Sequence, residues 1–337
     1  MKTTTLTPDR PSLFLGIDVG KKDLFCHIIG TGQTISRRFD NTHKGIVQLI
    51  AWLCEMGVPS QIRACLEQTG HYGDAIAEAL YEMGIAGLYL VNPQRIKAFG
   101  MQKLRRNKSD TADAKLIARF LKAEHSELRT WQPRSLMQQK ITALSRHADS
   151  LTKEAAKLKT MLEGCPDKHV TASLGRMIRM LQKEIKALRE RIKELIQNSP
   201  ELSAKNELIQ TIPGIGVVAA QTVLAELPDI TQFENARQLA AWVGLTPRHF
   251  VSGTSGKTRT PITKIGSVQL RRGLFMPAMT ARVFNPLLKT FADRLIANGK
   301  KPKQVIIAVM RKLLHQIYGI LKSGMPYNPE KRGFAGT

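Results

Sequence analysis

Four carboxylates stand out by their places in the chain. Asp18 follows the apolar run Leu13-Phe-Leu-Gly-Ile17, and Glu67 follows the run from Gln61 to Leu66. Runs of this kind read as buried strands, so each acid sits where a side chain can project from a rigid sheet into a cleft. Asp110 and Asp113 lie three residues apart in Asn107-Lys-Ser-Asp-Thr-Ala-Asp113, at the start of a helix running to Phe120, so both point to one face. Like charges so placed repel unless a cation sits between them. Taken singly, each has a structural reading: Asp110 or Ser109 as an N-cap, Asp113 as a complement to the helix dipole, Glu67 as a partner of Arg63 or a nearby lysine. Taken together, acids on two strand ends and a helix start make a Mg²⁺ cage. Hard oxygen ligands with open positions suit a divalent metal that also touches phosphate oxygens, which is the chemistry of metal-assisted phosphodiester cleavage.

Two other segments carry chemistry. Ile212-Pro-Gly-Ile-Gly216 is a tight turn opening a helix, similar to the hairpin of helix-hairpin-helix modules. The backbone at Gly214 and Gly216 can approach a phosphate without Cβ interference, or the turn is an ordinary corner in a core. The segment Gly244-Leu-Thr-Pro-Arg-His-Phe-Val-Ser-Gly-Thr-Ser-Gly-Lys-Thr-Arg259 is a hydroxyl-rich, cationic loop running on to Lys264 and Leu270-Arg-Arg272. Ser252, Thr254 and Ser255 are its candidate nucleophiles. Arg248, Lys257, Arg259, Lys264, Arg271 and Arg272 are its candidate phosphate holders. No His–Asp pair at triad spacing accompanies the serines, and His249 reads as a surface residue or a phosphate contact.

The elements that must position these groups fall into three regions. Over 12–140, three hairpin-like strands (Leu13–Ile17, Leu24–Ile29, Thr34–Phe39) precede strand–helix alternation. A helix over His43–Met56, a strand from Gln61 to Leu66, a helix over Tyr72–Met83 and a strand from Ala86 to Val91 follow. That is the order of an α/β ribonuclease H-like fold. Over 141–200, Leu144, Ala148, Leu151, Ala155, Leu158 and Leu162 repeat at heptad spacing. After Gly164-Cys-Pro166, Leu174, Ile178, Leu181, Ile185, Leu188, Ile192 and Leu195 do the same. The two seams predict a coiled-coil region, either a helical hairpin within the chain or a dimerising coil, and the two readings are compatible. Over 201–328 the pattern is mostly α-helical, with loops marked by Pro213, Pro228 and Pro247.

Charge points to the partner. The 337 residues hold 51 Lys+Arg against 27 Asp+Glu, a formal charge of +24, which calls for a polyanion. Arg105, Arg106 and Lys108 precede the acidic helix, adding to the cationic loop around Ser252 and the basic flanks of the helical middle. No stretch approaches the ~20 apolar residues of a spanning helix and no signal peptide is evident, so a membrane partner is not expected. The four cysteines, Cys26, Cys54, Cys65 and Cys165, lie far apart without metal-site spacing and fit a reducing cytoplasm.

The motifs Gly16-Ile-Asp18, Glu67-Gln-Thr-Gly70, Asn107 to Asp113 and Ile212 to Gly216 together resemble the DEDD transposases of bacterial insertion sequences, the "IS one-ten" family. Ala241-Trp-Val-Gly-Leu-Thr-Pro247, Ser252-Gly253 and Leu270-Arg-Arg-Gly-Leu-Phe-Met-Pro-Ala278 extend the likeness, which runs from about residue 12 to 328. The resemblance implies a RuvC-like N-terminal domain whose metal-binding acids are Asp18, Glu67, Asp110 and Asp113, and a C-terminal transposase domain whose serine nucleophile is Ser252. It further implies a structured non-coding guide, the bridge RNA, that pairs with donor and target DNA. It implies dimers assembling to tetramers, with the serine of one protomer meeting the acids of another, in the bacterial cytoplasm at the nucleoid. Three alternatives accompany it: a metal-dependent Holliday-junction resolvase-like nuclease using water, a non-enzymatic nucleic-acid scaffold, and a site-specific DNA invertase on the same framework.

Overall fold

The computed structural model describes residues 13–30, 34–67, 72–101, 110–247, 261–263 and 265–330. The chain divides into two compact units, residues 1–133 and 134–337.

In the first unit the opening apolar run becomes β1 (Leu13–Val19), paired antiparallel with β2 (Asp23–Ile29), which pairs antiparallel with β3 (Thr34–Asp40). After α1 (His43–Met56), β4 (Ile62–Glu67) joins the free side of β1 in parallel. After α2 (Asp74–Glu82), β5 (Gly87–Val91) joins β4 in parallel. The order β3-β2-β1-β4-β5 is the ribonuclease H-like arrangement expected from the strand pattern. β1 is central and covered on both faces, which is why it reads as a continuous apolar run rather than an alternating one. Leu15, Ile17 and Val19 face α1 and α2 through Leu49, Leu53, Ile76 and Leu80. On the other face, α3 (Pro93–Met101) and α4 (Asp110–Glu124) supply Ile96, Ile117, Phe120 and Leu121 against Phe14, Cys65, Tyr89 and Val91.

The second unit begins with the two long helices, α5 (Leu136–Glu163) and α6 (Lys168–Gln197), which pack along each other across a short turn. Ser135 caps α5 by accepting from the Gln138 amide at 3.2 Å, and Asp167 caps α6 by accepting from His169 and Val170, both at 2.9 Å. Of the heptad positions, Ala148, Ala155, Leu174, Ile178, Ile192 and Leu195 are buried, the last two in the core of the unit, and the rest of both seams is half-buried. The helical middle therefore folds as part of the second unit. Its base is fastened to the segment Val217–Glu226 by Arg146, whose guanidinium donates to both oxygens of the buried Glu226 carboxylate at 2.6 and 2.9 Å.

Short helices complete this unit: α7 (Pro200–Gln210), α8 (Val217–Glu226), α9 (Ala236–Val243), α10 (Val268–Gly273), α11 (Phe275–Phe284) and α12 (Pro286–Ala297). Of these, α7, α9, α11 and α12 pack against α13 (Pro302–Ser323), whose Val305, Val309, Leu313, Leu314, Ile317 and Ile320 are fully buried in one core. Among the described residues, no helix is long and apolar enough to cross a membrane.

Candidate active site

Strand register brings the first two acids together. β1 and β4 run parallel with Ile17 beside Leu66, so Asp18 and Glu67 follow as neighbours at the same end of adjacent strands. Side chains alternate, so Phe14, Gly16 and Asp18 of β1 share a face with Cys65 and Glu67 of β4. That face is the one covered by α4. Asp18 lies within β1 rather than just past it, because the β1–β2 ladder extends to Val19 opposite Leu24. Glu67 closes β4. Both are half-buried.

The helix carrying the other acids is held by a close approach. A Cβ on Gly16 would fall inside the α4 backbone at Ala114 and Ala118, so only glycine lets the helix rest directly on the sheet here. Farther along, Phe120 and Leu121 pack with Phe14 at the start of β1. α4 therefore runs antiparallel to β1, and its first turn is carried toward the strand end that bears Asp18. Asp113 is half-buried one turn before the fully buried Ile117 and shares its sheetward side. Asp110 is the first residue of α4; its side chain lies outside the described residues, as do Arg105, Arg106 and Lys108. Among the described residues, no three His, Cys, Asp or Glu side chains are grouped so as to hold a metal ion. The chemistry of the four acids nevertheless suits Mg²⁺, since all are carboxylates drawn from two strands and one helix, and Asp18, Glu67 and Asp113 are half-buried.

Asn41, which no sequence motif singles out, pins the rim of this region. Its amide donates to the Gly20 carbonyl at 2.9 Å and to the Tyr72 carbonyl at 3.0 Å, tying the β1–β2 turn to the approach of α2. Its one sequence signal is its position in an Asp-Asn-Thr turn closing β3. His27 on β2 is buried, bonded through Nδ1 to Ser36 Oγ at 2.7 Å. Burial, then Lys115 and Arg119 on α4, hold its pKa below the ordinary 6.5. It stays neutral beside two cations.

In the second unit, residues 248–260 and 264 lie outside the described residues. They include Ser252, Thr254, Ser255, Arg248, Lys257, Arg259 and Lys264. What is described is the base of their loop. Pro247 bridges Ile262, and the Thr263 amide donates to the Thr246 carbonyl at 2.9 Å. Arg271 donates to the Val243 carbonyl at 2.6 Å, and burial, then neighbouring Arg272, lower its pKa. Its guanidinium is thus engaged in holding the end of α9, next to the loop's origin. Arg272 is exposed, within electrostatic reach of Asp149, a carboxyl that burial pushes up and Arg189 and Lys153 pull down.

The glycine turn between α7 and α8 has two faces. Gly214 adopts φ of 103°, and a Cβ there would lie 2.6 Å from Ala281 of α11. This glycine is required by packing inside the unit. Gly216 is extended, caps α8 and has open space around it. Ile212 and Ile215 anchor the turn in the core.

Residues 15–170 match the DEDD transposase model, and residues 206–293 match the model described as "Transposase IS116/IS110/IS902 family". The "Pilin gene-inverting protein" of Moraxella bovis is 32% identical over 317 residues, covering 94% of this chain and 97% of that protein. The "Transposase for insertion sequence element IS1328" of Yersinia enterocolitica is 28% identical over 348 residues, covering 93% and 98%. The "Transposase for insertion sequence element IS1111A" of Coxiella burnetii is 27% identical over 288 residues, covering 76% and 74%. With these matches spanning both units, the chain belongs to the IS116/IS110/IS902 family of transposases, enzymes that cut and rejoin DNA.

Proposed function

We propose that this chain is the RNA-guided recombinase of a bacterial insertion sequence, acting on donor and target DNA in the cytoplasm at the nucleoid. The observation that carries the metal half of this reading is the β1–β4 register, which sets Asp18 beside Glu67 under the first turn of α4. Asp18, Glu67, Asp110 and Asp113 would hold Mg²⁺, which when bound polarises a DNA phosphate and eases formation of an alkoxide. Ser252 Oγ attacks the phosphorus. The P–O3′ bond breaks, the 3′ oxygen leaves with the electron pair and takes up a proton, and a 5′-phosphoserine remains. The 3′-hydroxyl of a partner strand then attacks that phosphorus and releases the serine, so bond energy is conserved without ATP. Phosphate is held by Arg105, Arg106, Lys108, Arg248, Lys257, Arg259, Lys264 and Arg272, with Gly216 open at the head of α8. Gly214 and Arg271 support the site from inside the unit, one by close packing and the other by its bond to Val243. A structured bridge RNA supplies target choice, and the α5–α6 hairpin, several of whose seam leucines are only half-buried, is the element on which dimers form and assemble to tetramers.

A second reading, inversion of a DNA segment by the same steps, is favoured by the 32% identity to the pilin gene-inverting protein. The two differ in the DNA sites, not in the chemistry.

The test uses full-length protein, the DNA flanking its gene labelled at the 3′ end, and the adjacent non-coding transcript. Denaturing gels of wild type should show a covalent protein–DNA adduct, and Ser252→Ala should show none. Adduct in Ser252→Ala but not in Thr254→Ala or Ser255→Ala would move the nucleophile to the neighbouring hydroxyl. Cleavage without any adduct would replace the reading with a water-using nuclease. Asp18→Ala should abolish strand exchange while keeping RNA binding.

A further inference from the structure

The second unit carries a cation cluster that none of the motifs above includes. α13 contributes Arg311, Lys312 and His315, α9 contributes Arg237, and α12 contributes Arg294. Arg294 and Lys312 both lie over the Phe291 ring, with the guanidinium carbon 5.6 Å and the ammonium nitrogen 5.5 Å from its centre. Burial, then Arg311, Arg294 and Arg237, lower the pKa of Lys312, and burial, then Arg311, Lys312 and Arg237, lower that of His315. Two polar atoms within the cluster, Arg311 Nε and His315 Nε2, are buried without a hydrogen-bond partner.

Carboxylates are scarce here. α9 and α13 contain no Asp or Glu, and α12 contains only the exposed Asp293. Glu234, just before α9, accepts from Gln238 at 2.6 Å. Among the described residues, Arg237, Arg294 and Arg311 form no ion pair. Cations gathered from three helices with so little counter-charge repel one another, and a folded chain keeps such an arrangement at a cost unless an anion offsets it. Arginine forks gathered from three helices suit phosphate oxygens better than a lone carboxylate, because several phosphates of a continuous backbone can be met at once.

We propose that the surface formed by α9, α12 and α13, through Arg237, Arg294, Arg311 and Lys312, is a phosphate-binding site for the DNA backbone. DNA is the substrate that family membership supplies, so the assignment does not depend on Ser252 or on a guide RNA. The site reads charge and spacing rather than bases, so it adds affinity without sequence preference.

The test is binding of full-length protein to a fluorescent duplex of arbitrary sequence across a salt series. Arg237→Gln/Arg294→Gln alters two exposed side chains. It should weaken binding and make the slope of log affinity against log salt shallower by about one for each phosphate no longer neutralised. Arg237→Lys/Arg294→Lys should keep most of the wild-type slope. Lys300→Gln/Lys303→Gln removes the same charge outside the cluster and should change the slope less. An unchanged slope in the first variant, or an equal change in the Lys300/Lys303 control, overturns the proposal. A parallel arm uses an RNA hairpin of similar length: weaker binding to RNA alone overturns the DNA assignment, whereas weaker binding to DNA, with or without RNA, supports it. Because the assay reads binding, loss of covalent adduct in Ser252→Ala has no bearing on it.

Discussion

The acidic region of the first unit and the serine-bearing loop of the second are secured by different means. Asp18 and Glu67 are placed by strand register, as paired members of the β1–β2 and β4–β5 ladders, with α4 pressed onto Gly16. The described residues flanking 248–260 are joined by a few discrete contacts: the Pro247–Ile262 bridge, the Thr263–Thr246 amide bond and the Arg271 bond to the Val243 carbonyl. A sheet fixes side chains cooperatively, so its failure should be global. A loop base fixes them locally, so its failure should be graded.

Gly16→Val is the strongest way to break the first arrangement. Forcing a branched side chain into the Ala114–Ala118 backbone should cost at least about 3 kcal/mol and abolish recombination. Chemical denaturation checks it, and near-wild-type stability would show that α4 is not bound to the sheet as described. The counterpart in the second unit is Arg271→Met, which leaves the Val243 carbonyl without its donor and should cost about 1–3 kcal/mol. Unchanged stability with weakened DNA binding would instead make Arg271 a phosphate contact alone. Asn41→Ala should cost about 1 kcal/mol, since its bonds are only partly shielded from water. Strand exchange should fall while DNA affinity stays, and hydrogen exchange should rise around Gly20 and Tyr72.

The smallest effect compares two histidines. Burial and then nearby cations hold His315 down to about 4, below the ordinary 6.5, and His27 is lowered for the same kinds of reason. In each case the unfolded chain takes up the proton first as pH falls. Stability present above about pH 6.5 is therefore lost progressively on acidification, for His315 toward about 4. Arg311, Lys312 and Arg237 face His315, whereas Lys115 and Arg119 face His27. His315→Gln and His27→Gln should each flatten the pH dependence of thermal unfolding, and a curve unaltered by both would remove these groups as its cause.

Much of the first unit is legible in the chain because its signals are local. The run over His43–Met56 becomes α1 with those bounds, and each expected strand forms within a residue or two. The Gly164-Cys-Pro166 break becomes the turn between α5 and α6, since proline and glycine end helices wherever they fall. Asn41 is not legible because its two acceptors, Gly20 and Tyr72, are distant in sequence and belong to backbone, which leaves no pattern of residue types. The cation cluster is hidden for a related reason: Arg311-Lys312 reads as an ordinary polar face of a helix until Arg237 and Arg294 are folded against it. Local spacing leaves Gly214 open to phosphate, but α11 lies against it instead, a contact between segments 67 residues apart that no short-range pattern encodes.

By itself the sequence determined which groups are available: four acids at element ends, a hydroxyl-rich basic loop, two heptad seams and a charge of +24. Residue type and short-range periodicity suffice for that, because hydrophobic alternation and capping act over a few residues. Only the tertiary structure decided which of those groups meet. Parallel pairing of β1 with β4, the direction of α4 over Gly16 and the gathering of three basic helices depend on contacts between segments tens of residues apart, settled by packing rather than by local preference.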